Sequence, residues 1–513
     1  MEREENMDFM NAMKAENNLR KTLTENGAVA YATSGKEMLD FNFKLAGYRK
    51  ASVEEIERDF GRVYYEDPLL AVKFIFWCGD VREGAGERKV FRTGLVWLAE
   101  HKPEVARVVI PLVGEYNRFD SLLPLLDTNL RKDVSSYYKK KLKEDKQNRK
   151  MNQPASLLGK WLPSINASSA ETRRYARMLC EDFGWTCEKY RKRLSKLRKY
   201  LDVVERKMSA KQWGDIDYNT VPSKANLIYN NAFLRNDTER RRKYLEDLAN
   251  GVKEAKINAG VLQPHEIVSK YTESGWWNNS VKYYDETLEQ LWKNLPDMTI
   301  DKMLICHDSS GSMTSRISGD TTCLDVATAL AIYMSEKNSG EWKDKFITFS
   351  NNPQIIDLSN AKTLHDKLEI VLSRCEVANT DVYKTMKLVL DTAIHNNMSQ
   401  NDMPQAICYC SDMQWDGRCF NFNKTLFEMI SKEFVEAGYK LPKIIFWNIC
   451  DRNRDTIPMQ QNEYGLILCS GFSVQIMKMF MSGEIDPYKV LLETINSQRY
   501  QPIDAAVRNI LQR

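Results

Sequence analysis

The chain has 513 residues, 43% of them apolar and 28% charged, with 74 Lys and Arg against 70 Asp and Glu. That length exceeds what one hydrophobic core organises, so two or more domains are expected, and the composition excludes disordered and fibrous classes. No window approaches eighteen consecutive apolar residues, the start Met1-Glu2-Arg3-Glu4-Glu5 is unlike a signal or transit peptide, and the eleven cysteines are scattered without a CxxC pair; no membrane span, zinc site or disulfide framework is expected, and a reducing, cytoplasmic compartment is.

The net charge of +4 hides an asymmetry. Residues 1–300 hold 52 Lys and Arg against 44 Asp and Glu, residues 301–513 hold 22 against 26, and residues 101–200 alone hold 23 against 11. Basicity concentrated in one segment suggests contact with a polyanion there.

Residues 1–20 form a polar lead-in. Helical periodicity starts near Glu37 and returns over Val53 to Tyr65. Leu69 to Trp77 is apolar all round and reads as a buried helix. Gly84-Ala85-Gly86-Glu87-Arg88 lacks the Gly-Lys-Ser/Thr of a phosphate loop and reads as a turn between helices, with Val90 to Ala99 resuming the helical pattern. Pro103 and Pro111 mark further helix starts. The basic segment then supplies Lys139, Lys140, Lys141 and Lys143, beside Tyr137 and Tyr138. From Lys189 a long amphipathic helix is expected: Leu194, Leu197, Leu201, Val204 and Met208 line one face, and Lys189, Lys192, Arg193, Lys196 and Lys199 the other, flanked by Tyr190 and Tyr200. Short helices joined by short turns, down to Pro296, fit a solenoid of helical pairs or a compact bundle.

After Thr299 the pattern changes. Strand-like runs at Met303–His307, Phe346–Phe349, Gln405–Cys410, Lys443–Ile449 and Leu466–Cys469 alternate with helical segments. That spacing implies a parallel sheet covered on both faces, with ligands bound beyond the carboxyl ends of strands. The stretch Asp308-Ser309-Ser310-Gly311-Ser312 falls at such an end, Asp412 at another, and Thr380 just before a helix. Oxygen donors without His or Cys suit Mg²⁺ or Mn²⁺. The competing reading is a capping turn at a helix start, which uses the same residue types. His307 is expected to be packed rather than catalytic, and Trp276-Trp277 to be core.

Asp308-Ser309-Ser310-Gly311-Ser312 with Thr380 and Asp412 resembles the metal-ion-dependent adhesion site of von Willebrand factor A domains. The resemblance implies metal ligation, direct or through water, by Asp308, Ser310, Ser312, Thr380 and Asp412. It departs from many relatives in having Val377-Ala378-Asn379 before Thr380 and Met413 after Asp412. In the first half, Asn26-Gly27-Ala28, Gly79-Asp80-Val81-Arg82, Gly84 to Arg88, Ile110-Pro111, Tyr116-Asn117-Arg118-Phe119-Asp120, Lys160-Trp161-Leu162-Pro163 and Val221-Pro222-Ser223 resemble TROVE-module proteins. Nearest is an uncharacterised family, found in plants and large viruses, that joins such a half to a von Willebrand A domain. Its better-known kin are the Ro ribonucleoproteins. The fold class implied is α plus α/β: a polar lead-in over 1–20, an all-helical HEAT-like repeat domain over 21–298 whose repeats close into a ring in Ro, and a doubly wound, Rossmann-like von Willebrand A domain over 299–513.

Taken together, a non-enzymatic RNA-binding protein is expected. RNA phosphates would meet Lys139, Lys140, Lys141, Lys143, Lys189, Lys192, Arg193, Lys196 and Lys199, with aromatics stacking on unpaired bases. By the Ro resemblance the partner would be a small structured noncoding RNA or a single-stranded end. The rival is a metal-dependent adaptor whose protein partner donates an acidic ligand to the ion. A catalytic role lacks a base near the acids.

Overall fold

The structure, a computed structural model, describes residues 21–23, 29–274, 279–349, 353–374, 381–413, 426–450, 466–479 and 486–512. The chain folds as two units, each assembled from separated stretches. One comprises Ala51–Leu262, Asp285–Pro296 and Ile495–Arg513; the other comprises Met1–Lys50, Gln263–Tyr284 and Asp297–Thr494. The first is helical. The second carries the sheet. A division at residue 298 is therefore too simple: the last stretch of chain closes the helical unit, and residues up to Lys50 belong with the sheet.

The helical unit follows local signals closely. Ser52 accepts from the Glu55 amide at 3.1 Å and starts Val53–Glu66. Asp67 does the same for Pro68–Gly79, accepting from Leu70 at 2.9 Å, with Pro68 at the first helical position where its missing N–H costs nothing. Phe74, Ile75, Phe76 and Trp77 of that helix are all buried, as the all-round apolar run requires. The glycine-rich stretch is a turn into Arg88–His101. Gly86 has φ of +72°, a conformation that side chains disfavour, and a Cβ at Gly84 would stand 2.1 Å from the Trp77 carbonyl, which leaves that position no room for one.

Further on stand Arg131–Lys150, then Ala170–Phe183 and Cys187–Tyr200, the last capped by Thr186. The expected amphipathic helix through Met208 is interrupted. Asp202 takes φ of +48°, the Asp202 and Val203 amides return to the Lys199 and Arg198 carbonyls at 3.3 and 3.2 Å, and a new helix begins at Val204. This paired closure ends the helix as a Schellman motif does. Leu194 and Leu197 are buried in the first segment, whereas Val204 joins a separate cluster with Ile216, Tyr218, Val221 and Phe233.

The C-terminal helix Gln501–Leu511 is held in this unit through Asp80, whose side chain is fully buried. Asp80 accepts from Arg499 Nε at 2.9 Å and Nη2 at 3.3 Å, from Tyr500 Oη at 3.3 Å and from the Arg82 amide at 3.0 Å. Tyr116 Oη donates to the Arg499 carbonyl at 2.7 Å, and Asn117 donates to the Gly79 carbonyl. Lys73 pairs with Asp504 at 3.3 Å.

In the other unit the sheet strands are β1 (Met303–His307), β2 (Lys345–Thr348), β3 (Ile355–Asp357), β4 (Ala406–Ser411), β5 (Lys443–Asn448) and β6 (Leu466–Ser470). Their order is β6-β5-β4-β1-β2-β3. All neighbours are parallel except β2 and β3, so the sheet is mixed and its antiparallel edge departs from the expected all-parallel sheet. From β1 the chain builds outward through β2 and β3, then crosses to β4 on the other side of β1. The gap between β1 and β4 is thus the switch point where doubly wound sheets take ligands. The helix Glu37–Phe43 and the turn after it meet the far edge of the sheet: Asn42 donates to the Leu468 carbonyl at 3.3 Å, and Ser470 Oγ accepts from the Ala46 amide at 2.9 Å.

Removing the Asp80 carboxylate strips Arg499 and Tyr500 of a shared buried partner, at about 1–3 kcal/mol, while Glu115 still pairs with Arg499 at 2.9 Å. Asp80→Ala should therefore destabilise the helical unit by about that amount and release Gln501–Leu511 to protease. Urea unfolding and timed trypsin digestion read both effects; an unchanged digestion pattern would show that the helix is held by something else.

Candidate functional site

Strand β1 ends at His307 and its chain continues into Asp308, which is 0% exposed; β4 ends at Ser411 and continues into Asp412, which is 1% exposed. Because Cys410 lies opposite His307 in the ladder, the two acids leave adjacent strands side by side at the switch point. The Ser310 amide donates to Asp308 Oδ1 at 2.9 Å and the Ser411 hydroxyl to Oδ2 at 2.6 Å. Ser310 Oγ and Ser312 Oγ stand 3.0 Å apart, both half-buried. Burial, then the nearby charge of Asp412, pushes the Asp308 carboxyl up to about 7, against the pull of the Ser411 and Ser310 hydrogen bonds.

This turn does not cap a helix. It runs into a 3₁₀ turn, Gly311–Thr314, and a small hairpin, Arg316–Ser318 with Thr321–Thr322. The helix Cys323–Lys337 starts only afterwards, capped by Thr322, whose hydroxyl accepts from the Asp325 amide at 3.2 Å while Asp325 reaches back. Ser310 stands at the N-cap of the 3₁₀ turn, but its side chain makes no capping bond to it. The donor set, two buried carboxylates with two facing hydroxyls at a strand end, fits a hard divalent cation, whose charge would offset both acids.

Thr380 lies outside the described residues, as do Trp276 and Trp277. Asp381, next to Thr380, caps the helix Val382–His395 by accepting from the Lys384 amide at 3.0 Å. His307 is packed, as expected: it is buried, its Nε2 lies 3.0 Å from Thr328 Oγ1, and burial lowers its pKa to about 4. Ser411 was not foreseen as part of the site; its signal was its place immediately before Asp412 on the same strand end.

The basic residues lie on two helices of the helical unit. On Cys187–Tyr200, Lys189, Lys192, Lys196 and Lys199 are exposed and Arg193 half-buried. The Arg193 guanidinium sits 4.0 Å over the Trp185 ring and the Lys189 ammonium 5.6 Å from it. Thr186, Lys189, Arg193 and Lys196 line a shallow cavity of about 350 Å³. Lys192 is partly neutralised by Glu188 at 2.6 Å. On Arg131–Lys150, Lys139, Lys140 and Lys143 are exposed, whereas Lys141 pairs with Glu144 at 3.2 Å.

The tyrosines named for stacking do not all serve it. Tyr138 and Tyr190 are fully buried, their hydroxyls bound to the Phe119 and Pro163 carbonyls. Tyr137 and Tyr200 are half-buried and likewise tied to backbone carbonyls. Trp185, in the loop before the helix, is the aromatic that the cations meet.

The class of protein is thus a helical unit and a doubly wound α/β unit in one chain, the latter with an acid-and-hydroxyl cluster at its switch point. The chain belongs to the family described as a domain of unknown function, DUF2828, which matches residues 24–114 and 127–302. Residues 302–503 match a second domain of unknown function, DUF7788. A relative is the uncharacterized protein L728 of Acanthamoeba polyphaga mimivirus, 28% identical over 529 residues that cover 94% of this chain and 88% of that one. The crystal structure of the Deinococcus radiodurans Ro (RSR) protein aligns with 89% of this chain and 93% of that one, with a TM-score of 0.40 and 12% identity.

Asp308→Ala should abolish Mn²⁺ binding followed by electron paramagnetic resonance. Ser411→Ala, which removes the donor behind Asp308, should weaken it about 10- to 100-fold. Wild-type affinity in both variants would remove these residues from any metal site.

Proposed function

We propose that the protein is a non-enzymatic RNA-binding protein whose helical unit holds RNA on the cationic face of Cys187–Tyr200, extended by the lysines of Arg131–Lys150, and whose α/β unit carries Mg²⁺ or Mn²⁺. One observation carries the reading: Lys189, Lys196 and Lys199 pair with no carboxylate among the described residues, on a helix whose Arg193 stacks on Trp185 with Lys189 beside it. Clustered like charges repel one another, and a phosphate backbone relieves that repulsion while releasing counterions. An aromatic ring beside the cations adds a surface for an unpaired base. The TROVE-like motifs of the helical half favour small noncoding or misfolded RNA over DNA or an acidic protein.

A second reading rests on the strand-end cluster. An ion held partly by the neutral hydroxyls of Ser310 and Ser312 keeps positive charge that a partner's Asp or Glu could complete. In that reading the protein is a metal-dependent adaptor and the basic face is incidental.

Replacing Lys189, Lys196 and Lys199 together by Glu should weaken binding of a structured RNA at least tenfold. The slope of log K against log salt should fall by about 2, from roughly 0.7 per lost phosphate contact on a single strand. Filter binding across a salt series measures both. Unaltered binding and slope would end the RNA reading, and loss of a protein partner in Asp308→Ala with RNA affinity intact would favour the adaptor.

A further inference from the structure

The α/β unit holds a cavity of about 740 Å³ whose lining includes neither strand-end acid, framed by two small hairpins and the end of a helix. One hairpin pairs Thr272–Ser274 with Asn279–Val281, placing Glu273 opposite Ser280. The other pairs Arg316–Ser318 with Thr321–Thr322 and turns through Gly319, whose φ is +56°. The helix Pro264–Tyr271 adds Lys270.

The frame is tied together by one buried carboxylate. Asp325, 3% exposed, accepts from Thr272 Oγ1 of the first hairpin at 2.5 Å, and from the amide and hydroxyl of Thr322 of the second at 2.7 and 2.9 Å. The rim backbone is pinned as well. The Lys282 amide donates to the Tyr271 carbonyl at 2.7 Å, and the Lys282 carbonyl lies 2.9 Å from His365 Nε2. Lys50 Nζ donates to the Arg316 carbonyl at 2.6 Å, bringing a further ammonium to the rim.

Inside this fixed frame the side chains are polar and poised. Lys270, Lys282 and Arg316 line the cavity, are exposed, and pair with no acid among the described residues. Glu273 and Asp320 also line it and are likewise free of ion pairs among the described residues. Three cations that face one concavity without neutralising the acids beside them select a ligand of several negative charges. Carboxylates and the hydroxyls of Ser280 and Ser318 suit sugar hydroxyls. The volume is that of a small-molecule site, about 300–1,000 Å³ in general, and the lining offers little to an apolar ligand.

We propose that this cavity binds a multiply phosphorylated sugar, as in a nucleoside di- or triphosphate, with the phosphates on Lys270, Lys282 and Arg316 and the sugar hydroxyls on Glu273 and Asp320. Its lining shares no residue with the helical basic face or with the strand-end acids and hydroxyls.

The test is calorimetric titration of the full chain with ATP, ADP, ribose 5-phosphate, adenosine and inorganic phosphate, in EDTA at constant ionic strength. ATP and ADP are expected to bind at micromolar concentration, and adenosine not to bind. Lys282→Glu and Arg316→Glu, both at exposed positions, should each weaken ATP at least tenfold with an unchanged far-ultraviolet spectrum, and Lys270→Glu serves as a third variant if either misfolds. ATP binding should survive the Lys189/Lys196/Lys199→Glu substitutions. Ribose 5-phosphate, with one phosphate, is expected to bind at least tenfold more weakly than ADP, and equal binding would overturn the requirement for several phosphates. Heats from ATP that phosphate alone reproduces, heats that vanish with the helical-face variant instead, or no heat at all would each overturn the proposal.

Discussion

A carboxylate taken out of water must find a cation, a set of donors or a proton, and this molecule is arranged around how a few aspartates meet that demand. Asp182 is met by Arg131 at 2.9 Å, Lys132 at 3.0 Å and the Ser135 hydroxyl at 2.7 Å, which fastens Arg131–Lys150 to Ala170–Phe183. Asp145 takes the amide and hydroxyl of Ser156 at 2.8 and 2.7 Å and fixes the return from the long basic helix. Asp80 takes Arg499 and Tyr500 and thereby makes the end of the chain a part of the helical unit. Asp325 takes donors from two hairpins and makes one frame of them.

Asp308 is the exception among these. Its donors, the Ser411 hydroxyl and the Ser310 amide, are neutral like those of Asp145 and Asp325, but a second buried acid, Asp412, stands near enough to raise its pKa. Elsewhere the fold supplies ionic or hydrogen-bonding compensation from its own side chains; here it sets two acids at the ends of adjacent strands and faces two hydroxyls toward one another. The oxygen-rich chemistry of the cluster and the electrostatic tension within it have the same origin. The inserted hairpin between Ser312 and Thr322 separates this cluster from the helix that follows and also forms one wall of the cavity.

How far the sequence discloses this depends on whether the signal is local. Strand β1 and the acids after β1 and β4 were legible because a buried parallel strand is a continuous apolar run and a polar residue ends it abruptly. The buried helix Pro68–Gly79 was legible for the same reason. The edge strand β3 was not: Ile355–Asp357 is three residues long, with Ile355 66% exposed, too short and too mixed to carry a period. The break at Asp202 was hidden because the apolar spacing from Leu194 to Met208 continues through it, while the left-handed residue that ends the helix is not a glycine. Tyr138 and Tyr190 looked available beside their lysines, yet each falls on the apolar side of its helix, and Trp185 reaches the cations from a loop whose direction periodicity cannot give. The two-unit division was the least legible of all, since Asp80 and Arg499 stand 419 residues apart and neither carries a local pattern pointing to the other.

That separation has a consequence in time. Synthesis proceeds at about 5–20 residues per second, so Asp80 leaves the ribosome roughly 20–80 seconds before Arg499 can reach it. Through that interval the nascent helical unit exists without its final helix, with the acid, the Tyr116 hydroxyl and Lys73 solvated rather than engaged. Most of the α/β unit is translated inside the same window and must form while its companion is still open. Completion of the helical unit therefore waits on residues 499–511, and a chain stalled before Arg499 is a different folding species from one that has passed Leu511.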